Sequence, residues 1–231
     1  MKTVLKSVVF PFSVMLLVAA APSWKGEEAE QWTEQDAKLI LANSPWVKKM
    51  TPVLMPPKNE AQRREGGQMG GGDGIGIEAF NSSTLTGVGP STAGKRRPIH
   101  LPTLQIRWES ASAVRTAELK AHEEDPPDLE GGSYAVAVYD VPGVDVNQKA
   151  LPLALKKDAF LRREGKKDRR ASRVDLLPQD GGLTTIIFMF PRSDEFTTED
   201  QRITFVAQIG RLSVAQYFYT AEMTIQGKLE L

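Results

Sequence analysis

The chain has 231 residues, 29 basic against 29 acidic, and no cysteine. Balanced charge gives no global attraction to nucleic acid or any other polyanion. The absence of cysteine removes disulfides, thiol catalysis and thiolate metal sites. A chain of this size needs no such cross-links, because a domain of about 200 residues buries roughly 70% of its unfolded surface.

Lys2 and Lys6 precede an apolar stretch, Val8–Val18, and three small residues, Ala19 to Ala21. Basic start, short apolar run and small residues in that order are the pattern of a cleaved export signal, assigned to residues 1–21. The run is shorter than a membrane span needs and Pro11 interrupts it. The expected address is therefore secreted or periplasmic, with no transmembrane helix after cleavage; the alternative is an uncleaved inner-membrane anchor. Without cysteine, bacterial lipoprotein attachment is excluded. In a bacterial reading the Asn81-Ser82-Ser83 sequon is coincidence.

Residues 22–57 form a polar tether, Trp24–Gln31, followed by a helix. Thr33 is placed to cap its free N–H groups, with Trp32 and Ala37 flanking it as a hydrophobic staple. Glu34 and Asp36 suit the positive end of the helix dipole. Ala37, Ile40 and Leu41 share one face, Ser44-Pro45 ends the helix, and Trp46 packs behind it. Thr51–Pro57 is one edge strand.

Residues 58–98 change character: seven of the eleven residues in Gly66–Gly76 are glycine. Such composition predicts a flexible insertion, with Ile75, Ile77, Phe80 and Leu85 as one weak strand. Two motif matches fall within it. Gly89 to Lys95 satisfies G-x-x-x-x-G-K, but Arg96 stands where a P-loop has Ser or Thr and Pro98 forbids the following helix. Gly72-Asp73-Gly74-Ile75-Gly76 lacks the full dinucleotide pattern and any surrounding βαβ unit. No nucleotide cofactor follows from either.

Residues 99–231 read as a β-rich globular domain. Leu104, Ile106 and Trp108 alternate with Thr103, Gln105 and Arg107, the pattern of a half-buried strand. Glu109–His122 is helical, with Ser110 as its cap and Val114, Ala117 and Ala121 on one face. Tyr134–Val141 is a strand, and Asn147–Lys157 is helical after Pro152. Phe160–Arg163 and Arg173–Leu177 are strands on either side of a charged connection. Leu183–Pro191 is bounded by Gly181-Gly182 and Pro191 and carries five consecutive apolar residues, Ile186 to Phe190. It is expected to be buried on both faces at the middle of the core. Ile203 to Ile209 alternates, Val214–Thr220 is aromatic-rich, and Ile225 to Leu231 reads as a last strand running to the C-terminus. Many short strands with close turns predict an α+β, mainly β fold: an antiparallel sandwich-like sheet with two or three short helices.

Catalytic and metal sites find no support. His100 has no acidic neighbour at useful spacing. His122, Glu123, Glu124, Asp125 and Asp128 are rich in oxygen ligands but read as a solvated turn ending a helix. No H-E-x-x-H or G-x-S-x-G occurs. The strongest feature is Lys156–Arg173, with nine basic residues against three acidic ones. Glu164 to Asp168 reads as a hairpin turn, crowding Arg162, Arg163, Lys166, Lys167, Arg169 and Arg170 onto one rim. Such a rim suits phosphate-bearing envelope lipids or polymers in a salt-dependent way; a charged edge that keeps an exposed strand from aggregating is the simpler explanation. Few aromatic residues interleave in sequence, which argues against a nucleic-acid platform.

Three segments carry a family likeness: Trp32-Thr33 with Asp36-Ala37, Ile40-Leu41 and Ser44-Pro45-Trp46; Arg107-Trp108-Glu109-Ser110-Ala111 with Val114-Arg115; and Gly227 to Leu231. Together they resemble a group of uncharacterised exported proteins of soil bacteria, over most of the chain outside the insertion. The first segment is also similar to the GWxTD domain family, with Gln31 in place of its glycine and Thr33 directly after the tryptophan. The likeness implies export and brings no site residues. The expected function is a non-catalytic binding or structural module of the bacterial envelope, without cofactor, whose partner is an envelope protein or an anionic surface. A hydrolase with residues hidden by the fold is the alternative.

Overall fold

The computed structural model describes residues 22–56, 101–122, 127, 129 and 132–231. The export-signal stretch, the glycine-rich insertion with both its motif matches, His100, and Glu123, Glu124, Asp125 and Asp128 lie outside the described residues. Among the described residues, no helix is long and apolar enough to cross a membrane.

Two five-stranded antiparallel sheets face each other. The first runs β1 (Val47–Met50), β3 (Leu104–Trp108), β4 (Ser133–Pro142), β8 (Leu183–Pro191), β7 (Arg173–Pro178). The second runs β2 (Val53–Leu54), β10 (Leu212–Tyr219), β9 (Arg202–Ile209), β5 (Phe160–Arg163), β6 (Arg169–Arg170). Three α-helices flank them: α1 (Glu34–Ala42), α2 (Ser112–Lys120) and α3 (Leu151–Lys157). This is the mainly β, sandwich-like α+β architecture that the strand pattern predicts.

The core forms where inward residues of the two sheets meet. The Phe188 and Phe205 rings lie 5.4 Å apart across it, and Trp108 meets Phe218 edge-on at 5.3 Å. Edge-to-face pairs of this kind add to the stabilisation from area burial. β8 is buried on both faces, as its run of apolar residues predicts. Ile186, Phe188 and Phe190 enter the main core, while Ile187 and Met189 pack with Ala135 and Ala137 on the opposite side of the sheet.

α1 starts as the sequence predicts. The Thr33 side chain accepts from the Asp36 N–H, and the Asp36 carboxylate accepts in return from the Thr33 N–H. Ala37 and Ile40 are buried, and α1 packs on α2.

The structure corrects several expectations. The stretch 24–31 is not a simple tether: Trp24 is 1% exposed, its ring 5.6 Å from that of Trp46, and its carbonyl accepts from Trp32 Nε1. Hydrophobic area outweighs the polar composition around it. Ser110 does not cap α2; its hydroxyl accepts from the Ala135 N–H, and the capping position is Ala111. The last "strand" is a hairpin, β11 (Thr224–Ile225) and β12 (Lys228–Leu229). Gln226 and Gly227 both take positive φ, as a two-residue hairpin turn that matches strand twist requires. The C-terminus is held, though not by a main sheet: Arg192 Nη2 donates to the Leu231 carbonyl at 2.6 Å, and Trp46 Nε1 to that of Glu230 at 2.6 Å.

Candidate functional site

Two places bring chemistry-bearing side chains together, one closed and one open. The closed one lies on the β3 side of the first sheet. Arg107, expected on a solvated strand face, is only 2% exposed. Period-two alternation says that Arg107 leaves the main core, but not that α2 brings Glu118 to meet it. Arg107 Nε donates to Glu109 Oε1 at 2.6 Å and Nη2 to Glu118 Oε1 at 2.9 Å. The Tyr139 hydroxyl accepts from Arg107 and donates to Glu109 Oε1 at 2.7 Å. Arg115 Nη1 donates to Glu118 Oε2 at 2.6 Å.

Glu109 and Glu118 are essentially unexposed. Burial pushes the Glu118 carboxyl up to about 8, the negative field and hydrogen bond of Glu109 add to it, and Arg107 and Arg115 oppose. Two convergent carboxyl groups with one raised is an acid–base arrangement in principle. Here both are spent on internal pairs, and neither lines either of the two clefts described below. The geometry is that of a buried polar network that orients α2 against β3.

The open place lies on the second sheet. A hairpin turns where the sequence predicts, but its second strand is β6, with Phe160 opposite Arg170 and Leu161 opposite Arg169, while the expected second strand, Arg173–Leu177, belongs to β7 and pairs with β8 in the first sheet. The strand period then divides the six basic residues instead of crowding them onto one rim. Arg163 turns inward, buried, ion-paired with Asp194 and, at 3.2 Å, with Asp200. Arg169 also turns inward; its guanidinium lies 4.3 Å from the Phe196 ring centre and donates to the Asp194 carbonyl. Burial lowers the Arg169 guanidinium from its ordinary range, opposed by Tyr134. Arg162 stays exposed and holds Asp168 at 3.0 Å, a contact that raises its pKa. Arg170 is exposed and donates to the Lys157 carbonyl at 3.0 Å, while Lys166 and Lys167 project from the turn.

Pairing across β5, β9 and β10 adds residues that lie far off in sequence. Arg162 stands beside Thr204, which has Tyr217 on its other side; Phe160 stands beside Val206, which has Ala215 on its other side; and Arg202 stands beside Tyr219. The outward face of this sheet thus carries Arg162, Arg170 and Arg202 among Phe160, Tyr217 and Tyr219. The two tyrosines are 47% and 45% exposed. Arg202 lies 4.9 Å from the Tyr217 ring centre and Arg162 5.1 Å from that of Phe160. β5, β6, β9 and β10 contain no acidic residue. The interleaving of aromatic rings and cations, absent along the sequence, exists in space. In the sequence Tyr217 and Tyr219 are part of an aromatic run in β10, and nothing local sets them next to Arg202.

At the end of this sheet opens a groove of about 830 Å³, lined among others by Lys166, Glu195, Glu199, Arg202 and Tyr219. It continues past Arg162 and Thr204 into a smaller cleft of about 310 Å³. Acidic side chains outnumber basic ones in the larger groove, on whose lining Arg202 and Tyr219 of the sheet face also stand. Among the described residues, no cluster of His, Asp and Glu forms a metal site. Comparison with family models, curated proteins and solved structures returns no match.

Proposed function

We propose that this protein is a non-catalytic binding module of the bacterial cell envelope, and that it meets anionic, phosphate-bearing surfaces with the outward face of its second sheet. One observation carries this reading: three arginines and three aromatic rings share one sheet face whose own strands carry no acidic residue, Arg162 being paired with Asp168 of the adjoining turn. Arginine offers planar donors to phosphate oxygens. Tyrosine, with an apolar ring and a wet hydroxyl, suits the boundary between headgroups and acyl chains. Lys166 and Lys167 extend the positive surface beyond the hairpin. The export address rests on the pattern of residues 1–21 and on the likeness to exported bacterial proteins.

The test is co-sedimentation of the purified protein with vesicles of phosphatidylglycerol in phosphatidylcholine, across a salt series. Binding weakens as salt rises, since exposed charges farther apart than about 10 Å are largely screened at 0.1 M and the distance shortens with more salt. The triple variant Arg162→Glu, Arg170→Glu, Arg202→Glu loses it, while Lys48→Glu and Lys49→Glu on β1 retain it. Equal binding by the triple variant refutes the reading.

A further inference from the structure

The larger groove shares Arg202 and Tyr219 with the sheet face, but its charge is mixed: five carboxylates and three cations line it. One group of these is closed on itself, since the buried Arg163 holds both Asp194 and Asp200. Glu164, Glu195 and Glu199 then stand against Lys166 and Arg202. All five are exposed, and among the described residues none of them forms an ion pair. A simple phosphate entering the groove meets repulsion from Glu195 and Glu199, and a simple amine meets it from Arg202 and Lys166. A ligand that carries both signs meets a partner for each.

One short turn fixes two of these charges. Glu199 lies in the 3₁₀ turn Thr198–Asp200, and Arg202 opens β9. Between them Gln201 takes a positive φ of 50°, and its carbonyl accepts from the N–H of Thr220 at 3.0 Å and from its hydroxyl at 3.2 Å. Thr220 is fully buried, so the turn is pinned from the sheet side while Arg163 pins it through Asp200. A non-glycine residue held in that conformation marks a backbone whose surroundings over-determine it, as at ligand clamps. Arg202 pairs across the strands with Tyr219, yet its guanidinium lies against the Tyr217 ring. The Tyr219 ring is therefore left exposed on the groove.

We propose that this groove takes a phosphoethanolamine group, its phosphate on Arg202 and Lys166 and its primary ammonium among Glu195, Glu199 and the Tyr219 ring. The inference rests on the function proposed above in that Arg202 meets phosphate, and it adds the chemical class that the groove selects. Guanidinium offers planar donors to phosphate oxygens. A primary ammonium has three N–H donors for carboxylate oxygens, and its charge is drawn to the face of an aromatic ring. A choline group has no N–H to donate, so the two carboxylates favour the primary amine over its trimethylated counterpart. The same chemistry occurs in a lipid headgroup and in the free phosphomonoester, and the experiment separates the two.

Backbone amide shifts of the isotope-labelled protein, followed while phosphoethanolamine, phosphocholine or inorganic phosphate is added, test it. The expected result is saturable movement of Glu199, Gln201, Arg202 and Tyr219 with phosphoethanolamine. The other two compounds bind about tenfold more weakly, the scale of one charge-assisted hydrogen bond. Glu195→Gln combined with Glu199→Gln brings phosphoethanolamine down to the affinity of phosphocholine, with amide shifts away from the groove unchanged. Equal affinity for phosphoethanolamine and either other compound overturns the inference. So does a preference that the double variant keeps, or the absence of any saturable shift. Vesicles then identify the source. Replacing phosphatidylcholine by phosphatidylethanolamine at constant phosphatidylglycerol tightens co-sedimentation if the lipid headgroup is the ligand, and leaves it unchanged if the free phosphomonoester is. Vesicle binding without a phosphoethanolamine preference refutes this inference and leaves the proposed function standing; phosphoethanolamine binding by a protein that sediments with no vesicle does the reverse.

Discussion

Replacing Glu118 by Gln tests the buried network on the first sheet. The Glu118 carboxyl sits at about 8 in the folded chain, against an ordinary 4.5. Between those values the folded protein holds a proton that the unfolded chain releases, so raising the pH favours unfolding. The sign is fixed: with respect to this group, stability is greatest below about 4.5, declines as pH rises, and levels off above about 8. At pH 7 the displacement corresponds to at most about 3 kcal/mol, at roughly 1.4 kcal/mol per pH unit. Gln cannot lose a proton, so the variant lacks this slope. It also loses the charge-assisted contact with Arg115, which lowers its stability at every pH without tilting the profile. Urea unfolding of both proteins from pH 5 to pH 9 reads the difference as the change of stability with pH. A parallel pair of profiles refutes the placement of a neutral carboxyl beside Arg107 and Glu109.

Three further substitutions probe other parts of the fold. Trp108→Ala removes a fully buried ring that touches Tyr134, Phe196 and Phe218; chemical denaturation is expected to show a loss of about 4 kcal/mol. Thr33→Ala breaks the reciprocal cap of α1 and costs about 1 kcal/mol by the same assay, with little change for Thr33→Ser. Arg163→Ala leaves Asp200 nearly buried without its cation, for a loss of about 3 kcal/mol; Arg163→Ala combined with Asp200→Ala recovers part of it.

The sequence reads well where one local rule decides. β8 is legible because five apolar residues between turn signals have nowhere to go but a covered sheet, and α1 because Thr33 and Asp36 sit at capping distance. It reads poorly where a second element decides. Arg107 looks like the wet side of β3 until Glu118 arrives from α2, eleven positions later. Gln226-Gly227 hides a turn inside a run that alternates well enough to pass for one strand. The turn of the basic hairpin is legible, but its second strand is Arg169–Arg170 and not Arg173–Leu177, and which of its side chains turn inward depends on Asp194 and Asp200, supplied by the connection between β8 and β9. The sheet face is the extreme case: two of its three aromatic members, Tyr217 and Tyr219, come from β10, and only the pairing of β5 with β9 and of β9 with β10 brings them onto one face with the arginines.

The face by which the protein meets an anionic surface is read most directly by a measurement that reports location. Hydrogen exchange followed by mass spectrometry, with and without phosphatidylglycerol vesicles, resolves the chain into short peptides. Binding through the second sheet slows exchange in peptides covering Phe160 to Arg170 and Arg202 to Tyr219, and leaves β1, β3 and α2 unchanged. Slowed exchange confined to the first sheet, or none in β5, β9 and β10 while the protein is bound, contradicts it.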